Sequence, residues 1–138
     1  MNDMNFAAWN EWVVGEFRSN SGAVDGYDEL PLLLLTTTGN RSGMPRLTPL
    51  CYVTVDDAYY VAATNSGRPG APAWLKNIRA EAHANIEVGT KSIPVVAEEL
   101  SGPRLRDLWE VFVQEMPTYE NSVQDDLLPI VMLTPSTP

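Results

Sequence analysis

Two arginines lie at a short turn bounded by glycines, and together they could hold an anionic group. Residues Gly39–Gly43 read Gly-Asn-Arg-Ser-Gly, and Arg46 follows three positions later. Glycine supplies positive φ angles, and Asn and Ser form local hydrogen bonds, so the segment is predicted to be a turn. Guanidinium groups bind phosphate and carboxylate oxygens in a bidentate manner. Arg41 and Arg46 are therefore the candidate anion ligands, with the hydroxyl of Ser42 and the N–H of Gly43 as further donors.

Other reactive groups are scarce in this sequence. One histidine, His83, and one cysteine, Cys51, are too few for a zinc ligand set, so no metal site is expected. Cys51 lies in an apolar segment, which favours a buried structural thiol over a nucleophile. The P-loop, the G-x-G-x-x-G fingerprint and the G-x-S-x-G elbow are all absent. If the chain is an enzyme, a cofactor must carry the reactive chemistry.

Charge is distributed unevenly along this acidic chain. The net charge of −9 argues against binding to nucleic acid, whose phosphates require cations. Between Gly39 and Ala80 there are five basic residues and two acids, a net +3, which leaves −12 for the remainder. Such a concentration of cations can hold a small anion, or it can be an accident of surface composition.

Hydrophobic periodicity and turn residues predict a β-rich α+β domain. Six strands are predicted, at Pro31–Thr38, Arg46–Val55, Tyr59–Ala63, Asn85–Val88, Lys91–Leu100 and Leu127–Thr134. Three helices are predicted, at residues 4–18, Ala73–Ala82 and Ser101–Met116.

The whole chain of 138 residues is predicted to be one domain, with residues 1–29 as a helix and linker and 30–135 as its body. No apolar run is long enough for a spanning helix, no leader segment is evident, and a single cysteine fits a reducing cytoplasm. Three alternatives are open for the N-terminal helix: it could pack on the core, form a lid or touch a membrane. Glu11 and Glu16 would repel anionic lipid and disfavour the membrane alternative.

Four segments, in order, resemble the deazaflavin-dependent nitroreductase family, whose members use coenzyme F420. The first is TTTGNRSGMPRLTPL, which fits the family signature TTTG-x-[RK]-SG-x-PR-x-x-PL. The others are Val61–Gly67, Pro72–Ala80 and Pro129–Pro135. The resemblance implies a split β-barrel of the flavin and deazaflavin oxidoreductases, usually a homodimer, with the cofactor in a groove on the barrel.

The resemblance also implies where the cofactor binds. The turn would hold the phosphate and acidic tail, and the end of the third strand and the middle helix would bracket the deazaflavin. The cofactor-binding residues implied are Arg41, Ser42, Gly43, Arg46, Thr48, Pro49, Ala62, Ala63, Thr64, Asn65, Trp74 and Asn77. Family members often have lysine where this chain has Asn65, and Trp74 could instead fill the core.

For catalysis, the resemblance implies Tyr119 and Thr64. A phenol can hydrogen-bond a substrate oxygen and donate a proton to it, although Tyr119 could also be an ordinary surface residue. The activity implied is hydride transfer from reduced F420 to a small molecule: a quinone, an enone or a nitro compound. The alternative, from another functional class, is a split-barrel protein that binds flavin mononucleotide (FMN) or a fatty acid without turnover.

Overall fold

The computed structural model describes residues 3–20, 22, 31–63, 71–115 and 128–136, with side chains from residue 11 onward. These residues form three helices and seven strands. In chain order they are α1 (Asp3–Ser19), β1 (Leu32–Thr38), β2 (Pro45–Cys51), β3 (Val53–Val55), β4 (Ala58–Ala62), α2 (Ala73–Ala80), β5 (His83–Val88), β6 (Lys91–Glu99), α3 (Gly102–Glu115) and β7 (Ile130–Pro135).

All strand pairs are antiparallel, in the order β2-β1-β5-β6-β7-β4-β3. The two outer strands are consecutive in the chain, separated only by Tyr52. Cys51 pairs with Leu32 of β1, whereas Val53 pairs with Tyr60 of β4. The sheet therefore curls into a half-barrel, as the resemblance implied. The count is seven strands because the predicted strand Arg46–Val55 changes partner at Tyr52.

The buried run Leu32–Leu35 is covered on both faces of the sheet, as its continuous apolar sequence predicts. Leu33 and Leu35 point into the barrel, where they pack with residues of α2 and of the other strands. Leu32 and Leu34 pack against α1 on the outer face. A third cluster, which includes Trp109 of α3, covers the outer face of β4 and β7.

Several predicted boundaries differ from the structure by one or two residues; β5, for example, begins at His83 instead of Asn85. The middle helix ends at Ala80 instead of Ala82, because Glu81 is extended and His83 already pairs with Val96 of β6. The last strand begins at Ile130; the start predicted at Leu127 lies outside the described residues.

Helix α1 is fastened to the sheet at its C-terminal half. Val13 and Phe17 are buried on the outer face, and the Arg18 guanidinium makes two hydrogen bonds to the Glu87 carboxylate of β5, at 3.2 and 2.9 Å. This supports the packed-helix alternative for the described part of α1. Trp12 is 48% exposed. Among the described residues, no helix combines the length and apolar character that a membrane crossing requires.

The chain leaves α1 by crossing very close to the β5–β6 turn. A Cβ on Gly22 would lie 2.9 Å from the Cα of Gly89, and the φ of Gly22 is +99°. We expect Gly22→Ala to lower the free energy of unfolding by about 2 kcal/mol, because it adds backbone strain and a main-chain clash. Urea unfolding measures this. The control is Gly15→Ala in α1, where a Cβ meets nothing within 4 Å; it should be neutral or stabilising.

Candidate functional site

The turn between β1 and β2 is closed by hydrogen bonds among its own atoms. The Gly39 N–H donates to the Met44 carbonyl at 2.8 Å, and the Gly43 N–H donates to the Gly39 carbonyl at 2.9 Å. The Met44 N–H donates to Ser42 Oγ at 3.1 Å. The Gly43 N–H, which the sequence suggested as a ligand donor, is therefore used inside the turn.

The side chain of Asn77 connects helix α2 to the turn through hydrogen bonds. The Asn40 N–H donates to Asn77 Oδ1 at 3.0 Å, and Asn77 Nδ2 donates to Thr37 Oγ1 at 3.0 Å. Asn77 is only 4% exposed and Thr37 only 2%. The resemblance implied that Asn77 binds the cofactor. In the structure its amide oxygen accepts a hydrogen bond from the turn, and its amide nitrogen donates one to the end of β1.

Pairing between β1 and β2 decides which face of the sheet each signature residue occupies. Residues directly opposite in an antiparallel pair project to the same face. Arg46 is opposite Thr37 and Thr48 is opposite Leu35, so both project to the inner, α2-covered face. Pro49 is opposite Leu34 and therefore projects to the outer face with α1. The strand thus brings Arg46 and Thr48 together and separates Pro49 from them.

The end of β4 lies at the same end of the barrel as the turn. Four antiparallel steps separate β1 from β4 in the sheet, so the two strands run in the same direction. Ala63, just after β4, belongs to the inner cluster with Trp74 of α2, whereas Ala62 belongs to the outer cluster under α3. Trp74 is 5% exposed, which matches the core-filling alternative for this residue.

The two signature arginines are exposed, and within the described part of the chain neither makes an ion pair. By contrast, Arg79 of the same cation-rich segment binds the Glu99 carboxylate at 2.9 Å. The hydrogen bond from Arg79 lowers the pKa of Glu99, so this pair stabilises the fold at neutral pH and loses that effect as the pH falls through the lowered pKa. As far as the described residues go, the charges of Arg41 and Arg46 therefore remain available to a ligand.

The donors left at the turn fit an acidic ligand. Apart from the two guanidinium groups, the hydroxyl of Ser42 can donate, since in the described structure its oxygen acts as the acceptor of the Met44 N–H. No described carboxylate pairs with Arg41 or Arg46, so an anion would not have to displace one. This donor set matches phosphate and carboxylate oxygens.

Three suggested residues, Thr64, Asn65 and Tyr119, lie outside the described residues. One role was missed at the sequence level, the support that Asn77 and Thr37 give to the turn. A signal was present, because Asn77 lies between the apolar residues Trp74 and Ile78 on the buried face of a short helix. A polar side chain on such a face needs buried hydrogen-bond partners.

Residues 10–135 match the family described as F420H2-dependent quinone reductase. An F420H2-dependent quinone reductase of Mycobacterium tuberculosis is 33% identical over 109 residues, which are 75% of this chain and 73% of the relative. A second M. tuberculosis protein, described as a quinone reductase of the same type, is 27% identical over 108 residues, covering 77% of this chain and 91% of the relative.

Two solved structures are similar to this chain in both sequence and fold. One, described as an F420-H2 dependent reductase, superposes with a TM-score of 0.67 at 31% identity and covers 74% of this chain and 92% of its own. Another, described as a domain-swapped dimer, has a TM-score of 0.68 at 31% identity and covers 89% of this chain and 97% of its own.

Proposed function

The chain belongs to the F420H2-dependent quinone reductase family, and from this premise we propose that it reduces a quinone with reduced coenzyme F420. The observation that carries the proposal is the pair of exposed arginines, Arg41 and Arg46, which bind no carboxylate among the described residues and lie on a turn that offers donors to an acidic cofactor. Enones and nitro compounds are further acceptors of the same chemical type, since each takes a hydride at an activated double bond or polar group.

The residues of this chain bind and orient the cofactor. Arg41 and Arg46 would bind the phosphate and acidic tail, with Ser42 as an additional donor. Thr48 lies on the same face as Arg46, and the small side chain of Ala63 follows the neighbouring end of β4. When bound, reduced F420 supplies the hydride. The buried inner cluster below this end excludes water from one side of the site.

The experiment that tests the proposal uses the purified full chain. Titration with F420 should give saturable binding, and reduced F420 should be oxidised when a panel of benzoquinones and naphthoquinones is added. FMN is titrated in parallel because an FMN-binding protein without turnover is the alternative. Saturable FMN binding, with neither F420 binding nor quinone-dependent oxidation, would replace the proposal with that alternative.

A homodimer is part of the proposal. It is supported by the similar solved structure that is described as a domain-swapped dimer. Light scattering coupled to size exclusion should give twice the monomer mass of 15.2 kDa. A mass of one chain at micromolar concentration would rule out the dimer without affecting the assignment of the cofactor.

Asn65 gives a test of affinity. The family resemblance implies that lysine often stands at this position, and a lysine would add a cation next to the proposed cofactor. We expect Asn65→Lys to tighten F420 binding by about threefold, which corresponds to an exposed charge interaction below 1 kcal/mol. Equal or weaker F420 affinity would show that the ligand avoids this position.

Tyr119 gives a test of chemistry. Hydride transfer to a quinone builds negative charge on its oxygen, and a phenol aimed at that oxygen helps most in the transition state. We expect Tyr119→Phe to lower kcat about tenfold, the weak end of general-acid effects, because solvent replaces part of its role. The Kd of F420 should stay unchanged. Full activity would make Tyr119 an ordinary surface residue, and lost F420 binding would place it in the cofactor site.

A further inference from the structure

We infer that Asn77 is a positioning residue that sets the arginine-bearing turn for the acidic end of the cofactor. The inference rests on the proposed function, because it concerns the same site. The role assigned to Asn77 acts through its hydrogen bonds with Asn40 and Thr37.

The geometry joins three parts of the fold at one buried amide. Asn77 belongs to α2, Thr37 to the last turn-facing part of β1, and Asn40 to the turn itself. Both hydrogen bonds measure 3.0 Å, and the oxygen and nitrogen of the amide are both used. Within the described residues, the Asn77 side chain forms the hydrogen-bonded link between α2 and the turn.

The position of Asn40 explains why this link matters for an anion. Asn40 immediately precedes Arg41. The hydrogen bond that fixes the Asn40 N–H therefore also fixes the backbone position from which the Arg41 side chain extends. A turn held in its binding geometry loses less conformational entropy when a ligand binds. Without the amide, the turn keeps its own hydrogen bonds but loses its anchor to the helix.

Removal of the amide should leave the protein folded. Helix α2 also buries Trp74, Leu75 and Ile78 in the inner cluster, and these apolar contacts do not involve Asn77. They keep α2 docked in an Asn77→Ala variant. The variant therefore separates the position of the turn from the presence of the helix.

The test compares two ligands, coenzyme F420 and the deazaflavin chromophore that lacks phosphate and acidic tail. For each protein the Kd of both ligands is measured by fluorescence titration. The Kd of the chromophore divided by the Kd of F420 gives the selectivity for the acidic end. We expect Asn77→Ala to weaken F420 binding about tenfold and chromophore binding less than twofold, since one buried and one part-buried hydrogen bond are lost. Thr37→Val, which removes one partner, should reduce the ratio about threefold.

Two controls distinguish positioning from general destabilisation. Thr37→Ser keeps the hydroxyl and should restore most of the ratio lost in Thr37→Val. Val13→Ala destabilises the fold under α1, far from the turn in sequence and on the outer face. It should lower the melting temperature without changing the ratio. A ratio that falls equally in Val13→Ala, or stays unchanged in Asn77→Ala, would overturn the inference.

Failure of this inference differs from failure of the proposed function. If the unmodified protein does not bind F420, the proposed function fails, and the inference that rests on it fails too. If it binds F420 and oxidises reduced F420 with quinones, while Asn77→Ala keeps the full ratio, only the positioning role is wrong.

Discussion

Replacing both Arg41 and Arg46 with alanine should weaken F420 binding by about a hundredfold or more. A hydrogen bond to a charged group contributes about 1.5–3 kcal/mol, so either single change should cost roughly tenfold or more. Both side chains are exposed and lack an ion-pair partner in the described parts of the chain, so their removal leaves no carboxylate unpaired. The loss of affinity should therefore report the ligand contact itself, with little loss of stability.

The matched control removes two positive charges elsewhere. Arg104→Ala with Arg106→Ala changes the net charge by the same amount on α3, where Arg104 binds Glu98 at 3.0 Å. Its F420 affinity should remain within about twofold, as expected for distant exposed charges. Because the turn is exposed, the effect of the arginine double variant should shrink as salt is raised. Titration curves that match the unmodified protein would show that the turn does not bind the acidic end.

Local sequence was sufficient to predict most of the architecture. The four leucines of β1, the glycine-bounded turn and the apolar spacing of α3 each carry their own signal, and all three elements are present. The break at Tyr52 carried no comparable signal. It arises because the strand changes its hydrogen-bonding partner from β1 to β4, and β4 follows later in the sequence.

Candidate ligands could be proposed from the sequence, but the contacts that support them could not. Arg41 and Arg46 stand in one motif, so composition and spacing pointed to them. The contact of Asn77 with Asn40 spans 37 positions in the sequence and exists only because α2 folds back over the end of β1. For the same reason, Pro49 and Ala62 were grouped with the ligands, although strand pairing places their side chains on the outer face.

Gly39→Ala should be the most disruptive small substitution in the turn. A Cβ at Gly39 would lie 2.7 Å from Ser42 Oγ, 3.1 Å from the Met44 carbonyl oxygen and 3.5 Å from Arg46 Nε. The Met44 oxygen is main chain and already accepts the Gly39 N–H, so the hairpin itself has to move. We expect a loss of about 2 kcal/mol in the free energy of unfolding. F420 affinity should fall about thirtyfold, because Ser42 and the main chain of the turn at Met44 are both displaced.

Gly43 provides the matched control because glycine is favoured there by the backbone angle and not by lack of space. Its φ is +72°, yet a Cβ there would meet nothing within 4 Å. Asparagine tolerates the left-handed region, so Gly43→Asn should cost less than about 1 kcal/mol and leave F420 affinity within about threefold. Thermal unfolding and F420 titration are measured for both variants. Gly39→Ala reports the effect of lack of space, and Gly43→Asn reports the effect of backbone strain. If Gly39→Ala matches the unmodified protein in both measurements, the close packing of Gly39 against Ser42 and Met44 is not what shapes the anion site.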